Sequence, residues 1–169
     1  MVMGRLSAQC TDARVNLVCR ELFARFPTPK ALAEGELSEI EDCIRSCGLY
    51  RVKAQNIKDL KGKVVLLDFT MYSASESAER TIKMRELHDK YRSQGFEIYQ
   101  ISLDDNLSFW KNAVDKLEWI CVHETNGQVT ASYGVQKLPT FFLINRANEV
   151  VVRSDFMEGS LEDNIKKLL

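Results

Sequence analysis

The alternation of apolar and polar positions changes character once along this chain, near residue 60. Residues 1–60 carry a helical period only. Val15, Val18, Leu22 and Phe26 lie close to one stripe behind a Thr11-Asp12 cap signal, which predicts a first helix ending at Pro27-Thr28-Pro29. Thr28 then reads as a cap and Pro29 as the first residue of a short second helix, stopped by Gly35. Ser38-x-x-Glu41 has the form of a capping box, with Ile40, Ile44 and Cys47 following on one face and Gly48 as a stop. A last helix is expected from about Val52 to Leu60.

Residues 61–169 alternate short apolar runs with helical stripes. Strands are expected at Val64–Phe69, Phe96–Leu103 and Trp119–Val122, and a hairpin joins Thr140–Asn145 to Glu149–Arg153 around Arg146-Ala147-Asn148. Between them lie a helix to about Arg92, carrying Met84, Leu87 and Tyr91 on one face, and a second over Leu107–Leu117 opened by Asp104-Asp105-Asn106. Asn126-Gly127 marks a turn, and Leu161–Leu169 closes the chain as a helix capped by Ser160. Strands separated by helices predict an α/β sheet, and the late hairpin adds an antiparallel edge that makes it mixed. The expected organisation is therefore an all-helical segment, 1–60, followed by a mixed-sheet domain flanked by helices, 61–169.

Composition narrows the function classes. The formal net charge of −1 provides no basic excess for nucleic acid, and no apolar run approaches the ~20 residues of a membrane helix. The N-terminus lacks the apolar core of a signal peptide, so the expected location is cytoplasmic, or exported if a leader was removed. Five cysteines, Cys10, Cys19, Cys43, Cys47 and Cys121, fit reduced thiols better than a disulfide framework, and none stands in Cys-x-x-Cys spacing. With His88 and His123 far apart, no metal site or cofactor is expected. Cys43 and Cys47, four apart on one predicted helix, read as a buried helix contact, with a metal or redox pair as the alternative. Cys121, in an apolar strand, reads as inert.

Four segments of the second half carry a resemblance: GKVVLLDF, the helix after it, GFEIYQISLDD, and YGVQKLPTFFLINRANEVV. Together they resemble the thioredoxin-like thiol:disulfide interchange family. The resemblance implies a cis proline at Pro139, facing a Cys-x-x-Cys loop and pairing with an extended substrate segment. It also implies a buried acid at Asp68. The departure is at the centre. Six residues after Asp68, where the family places its first cysteine, stands Ala74; the second cysteine position is Ser77. Thiol–disulfide exchange needs a thiolate, which neither residue supplies. Asp68 is then expected to accept structural hydrogen bonds, and Ser75 and Ser77 to cap the following helix, with Glu76 a favourable charge in its first turn.

The first half resembles a different family. Leu6-Ser7-Ala8-Gln9-Cys10-Thr11-Asp12 and Gly48-Leu49-Tyr50-Arg51-Val52-Lys53-Ala54-Gln55-Asn56-Ile57 are similar to two segments of the base-excision glycosylase endonuclease III. In that family the glutamine at the Gln9 position fills the stack where a damaged base has flipped out. The glycine-rich helix-hairpin-helix loop, the lysine nucleophile and the aspartate that the resemblance would require do not occur, and the cysteine spacing does not match the family's iron–sulfur run. Lesion excision is not expected. Gln9 and Lys53 stand as possible DNA contacts.

The expectation that unites these readings is a redox-inactive thioredoxin-like domain that binds or scaffolds a protein or peptide through Ser73–Ser77 and Pro139, joined to a glycosylase fragment as a chimera. The alternatives are a thiol:disulfide oxidoreductase that uses a non-standard cysteine, and a DNA-binding remnant without catalytic residues.

Overall fold

The computed structural model describes residues 12–27, 31, 34–47, 60, 62–124 and 127–169. Its chain divides into two compact units, Met1–Lys61 and Gly62–Leu169.

In the first unit, α1 (Asp12–Arg25) and α2 (Leu37–Ile44) bury one cluster of Val18, Leu22, Phe26, Ile40, Cys43, Ile44 and Cys47. Val18, Leu22 and Phe26 of the stripe read from the sequence thus find their cover within the unit, while the side chain of Val15 lies outside the described residues. Two expectations change. Ser38 and Glu41 form no capping box: α2 starts one residue before Ser38, and Glu36 takes the cap position with an extended backbone and no side-chain cap bond. The Glu36 carbonyl accepts from the N–H groups of Glu39 and Ile40 instead. Cys47 lies beyond the helix, in a turn where its N–H donates to the Ile44 carbonyl. Cys43 and Cys47 share a core rather than a helix face. The short helix before Gly35, the Gly48 stop and the helix over Val52–Leu60 fall largely or wholly outside the described residues.

The second unit is a five-stranded sheet. Its elements are β1 (Val64–Thr70), α3 (Ser77–Tyr91), β2 (Phe96–Ser102), α4 (Leu107–Val114), β3 (Ile120–His123), α5 (Gln128–Ser132), β4 (Thr140–Ile144), β5 (Val150–Arg153) and α6 (Leu161–Leu168). The strand order is β3-β2-β1-β4-β5. β1 pairs parallel with β2 and antiparallel with β4, so the sheet is mixed, as the hairpin predicted. All seven residues of β1 are buried, which is why Val64-Val65-Leu66-Leu67 is an unbroken apolar run rather than an alternating one.

On one face Val64, Leu66, Phe96, Ile98 and Leu143 pack with Met84 and Tyr91 of α3 and Ile165 of α6. On the other, Phe69, Tyr133 and Phe142 form a ring cluster with centroids 5.3–6.0 Å apart. α4 ends at Val114, three residues before the expected stop, and α5 is an element the apolar pattern did not indicate. Asn126 of the expected turn lies outside the described residues. Ser160 caps α6 as expected, its Oγ accepting from the Asp163 N–H at 3.0 Å. No helix among the described residues is long and apolar enough to cross a membrane.

Two contacts close the end of the sheet opposite the loop that follows β1. Gly95 takes a left-handed backbone, φ 92°, and its carbonyl accepts from the Val64 N–H at 2.8 Å. The Arg146 guanidinium, in the β4–β5 hairpin, donates to the main-chain oxygens of Gly62, Gln94 and Leu169 at 2.8–3.1 Å. A Cβ on Gly95 would meet Arg146 Nη1 at 3.0 Å as well as incurring the left-handed penalty. Gly95→Ala is therefore expected to lower stability by about 1–2 kcal/mol in urea denaturation. An unchanged midpoint would show that neither the conformation nor the guanidinium constrains this turn.

Candidate functional site

The site grows from the C-terminal end of β1. Asp68 follows Val64 and Leu66 on the face of β1 covered by α3, and its register partner on β2 is Gln100. Farther down this face the positions are apolar. Here they are a carboxylate and an amide, both buried. A buried carboxylate requires donors. Asp68 has two: the Arg80 guanidinium from the first turns of α3, and Gln100 Nε2 at 2.9 Å. Burial pushes its carboxyl above the usual range, while Arg80 and Gln100 pull it down. Arg80 also lies over the Phe141 ring, 5.8 Å from its centroid.

Gln100 is the centre of a larger network that sequence reasoning missed. Its Oε1 accepts from Tyr72 OH at 2.5 Å and Trp119 Nε1 at 2.7 Å, and Cys121 Sγ lies 3.9 Å away. Its Nε2 also reaches Met84 Sδ at 3.2 Å. Both hydrogens and the oxygen of the amide are engaged, and only this amide orientation matches neighbours that donate on one side and accept on the other. One signal was available: Gln100 is the lone amide in the apolar run FEIYQISL.

The loop after β1 is held from β2. The Asp104 carboxylate accepts from the N–H groups of Tyr72 and Ser73, at 2.8 and 2.9 Å, and from Ser102 Oγ at 2.8 Å. Burial would raise the Asp104 carboxyl, but these donors outweigh it and hold it below the usual carboxylate range. The expected opening of α4 belongs to Asn106 alone, whose Oδ1 accepts from the Phe109 N–H. Asp104 serves the loop instead.

Within that loop Ala74 is exposed and Ser77 half-buried. Ser77 is the first residue of α3 and does not cap it. Its Oγ donates to the Tyr72 carbonyl at 2.7 Å, and the cap position, Glu76, makes no side-chain cap bond. The hydroxyl thus closes the loop on itself. Pro139 is exposed, and the Leu138–Pro139 bond is cis. Because Phe69 pairs with Thr140, Pro139 stands at the same end of the sheet as the loop. Ala74, Ser77, Asp68 and Pro139 therefore gather at one end of β1 and β4. Gln9 and Lys53 lie outside the described residues.

Both histidines are engaged away from the loop hydroxyls. His88 is buried in α3, with Nε2 3.0 Å from Glu97 Oε1 and its ring edge on Trp119. His123 Nε2 donates to the Asp104 carbonyl at 2.5 Å and its ring stacks near Trp110. Cys121 lies beside Tyr72 OH at 3.7 Å, and burial pushes its thiol up to about 11 against the opposing pull of that hydroxyl. Such a thiol is almost wholly protonated at neutral pH. Among the described residues, no group of three His, Cys, Asp or Glu side chains could hold a metal ion.

A family model for the HhH-GPD superfamily of base excision DNA repair proteins matches residues 2–155. Endonuclease III of Synechocystis is 53% identical over 65 residues, which cover 38% of this chain and 30% of that enzyme, so the chain spans less than a third of it. The thiol-disulfide oxidoreductase ResA of Bacillus thuringiensis is 31% identical over 120 residues, 69% of this chain and 69% of that protein. Among solved structures, an uncharacterized thioredoxin-like protein from Bacteroides vulgatus shares 50% identity at a TM-score of 0.60, over 65% of this chain and 74% of that one. The thioredoxin likeness rests on the sheet unit and the glycosylase likeness on the opening segment, although the HhH-GPD match runs on into the sheet. The chain belongs both to the thioredoxin-like thiol-disulfide oxidoreductases and to the HhH-GPD superfamily.

Proposed function

We propose that residues 62–169 act as a redox-inactive thioredoxin-like module that binds an extended segment of a partner protein at the loop Ser73–Ser77 and the adjoining Pro139 surface. One observation carries this reading: the loop keeps an ordered frame around two positions that hold Ala74 and Ser77 in place of sulfur. Asp104 fixes the loop N–H groups, Ser77 closes it onto Tyr72, and Arg80 occupies the carboxylate beneath. Cys121 does not substitute, because its half-buried thiol is pushed up to about 11 and stays protonated at neutral pH. Cys43 and Cys47 are buried in the other unit. In the same reading the first unit is a fused glycosylase fragment without excision chemistry, consistent with the short span it shares with endonuclease III.

Dithiothreitol-driven insulin reduction by the full chain, shown folded by circular dichroism, is expected at the background rate. Turnover above background would assign redox work to one of the five cysteines and overturn the reading.

The frame itself is testable. Ala74→Cys combined with Ser77→Cys is expected to close an intramolecular disulfide on mild oxidation, because the first two turns of α3 and the loop are already ordered. Two alkylatable thiols should disappear and return with reductant. No closure would mean that the loop does not hold these positions at disulfide distance.

Acid should loosen the same loop. Asp104 has a lowered folded-state pKa, so its contribution is present above the ordinary aspartate value and is lost as pH falls below about 4 through the folded value. Asp104→Asn is expected to cost about 1–3 kcal/mol at pH 7 and far less near pH 3, measured by urea denaturation at both. Equal losses at both pH values would show that charge on Asp104 does not hold the loop.

A further inference from the structure

We propose that β5, an edge strand of the sheet, is a self-association surface on which two copies of this chain pair antiparallel about a two-fold axis through Val151. Among the described residues, the strand order gives β5 a neighbour, β4, on one side only. Edge strands are ordinarily guarded by lysine, proline, inward charge, shortness or a bulge, because their unpaired N–H and C=O groups template further pairing; β5 is short and bulged but lacks the side-chain guards. Glu149-Val150-Val151-Val152-Arg153 has no such residue between its two end charges. Val150 and Val151 are 53% and 45% exposed.

The segment is its own complement. In antiparallel pairing centred on Val151, Glu149 opposes Arg153 of the second copy, Val150 opposes Val152, and Val151 opposes itself. Every opposition is either unlike charges or two valines, both favourable across strands. A slip of one residue sets Arg153 against Val150 and Glu149 against Ser154, which removes both ion pairs, so the charges also fix the register. The arrangement is isologous, as a closed dimer requires.

Both end charges are already held in place. Glu149 accepts from Asn145 Nδ2 at 2.8 Å. Arg153 donates to the Gly134 carbonyl at 2.9 Å and to Asp155 at 3.2 Å. The β4–β5 register shifts at Val151: Val152 pairs with Leu143 and Val150 with Ile144, leaving Val151 without a partner on β4. This bulge bends the strand at the axis and keeps the paired stretch short, so the dimer is weak and concentration-dependent.

The test is sedimentation equilibrium of the full chain across a concentration series. A monomer–dimer equilibrium is expected, weakened by added salt. Val151→Lys and, separately, Glu149→Lys should each raise the dimer dissociation constant by ~10-fold or more. Both sites are exposed, so the far-UV spectrum should not change. A wild-type chain that stays monomeric to about 1 mM overturns the proposal. So does a dimer that Val151→Lys leaves intact, since its interface then lies elsewhere. Neither result bears on partner binding at the Pro139 surface, which uses a different edge of the molecule's chemistry and no residue of β5.

Discussion

The amide of Gln100 is the joint at which β1, β2, the loop after β1 and the approach to β3 meet. It is buried, and its two polar atoms join three segments: Nε2 donates to Asp68 of β1, while Oε1 accepts from Tyr72 of the loop and Trp119 just before β3. A fully satisfied buried network of this kind favours one arrangement over its near alternatives, because any shift of a member leaves another unpaired in low dielectric. The apolar faces of the sheet supply most of the cohesion and are tolerant of small displacements. The network is not. It converts a generic α/β sandwich into a sheet end with a defined loop.

That loop separates two properties that coincide in a redox enzyme. One is shape, set by Asp104 on the N–H groups of Tyr72 and Ser73 and by Ser77 on the Tyr72 carbonyl. The other is reactivity, which requires thiolates and a group able to move protons. Here the shape is kept by contacts that need no sulfur. The buried acid, which could have served proton movement, is instead engaged by Arg80. Form and thiol chemistry are thus separable in physical terms, since the contacts that order the loop, including the Ser77 hydroxyl on the Tyr72 carbonyl, need no sulfur.

Much of the sheet was legible from residue order. Val64–Leu67 declared a strand buried on both faces, and Arg146-Ala147-Asn148 marked the hairpin, where Asn148 takes the positive φ of 67° that the turn requires. The failures share a cause: the deciding contact came from outside the local window. Ser38-x-x-Glu41 had the spacing of a capping box, but the chain entered α2 one residue earlier at Glu36. α5 has five residues and little apolar period, and it is held by the Glu124 carboxylate accepting from the Val129 N–H at 2.6 Å. Asp104 read as a helix opener because it precedes one, whereas its carboxylate reaches back to a loop some thirty residues earlier in the chain. Arg80 was invisible as a partner of Asp68, because a single arginine near a helix start has many uses. Ala74, Ser77, Asp68 and Pro139 were legible because a whole family frame surrounded them.

The Arg146 guanidinium has a topological meaning. It grips Gly62 and Leu169 with the same side chain, so these first and last residues of the sheet unit lie within one hydrogen-bonding reach of each other. A unit whose entry and exit coincide behaves as a cassette: it can be appended to another polypeptide, or spliced into one of its surface loops, without forcing the host to span the diameter of a sheet. The latch that closes the bottom of this fold is thereby also what makes it portable.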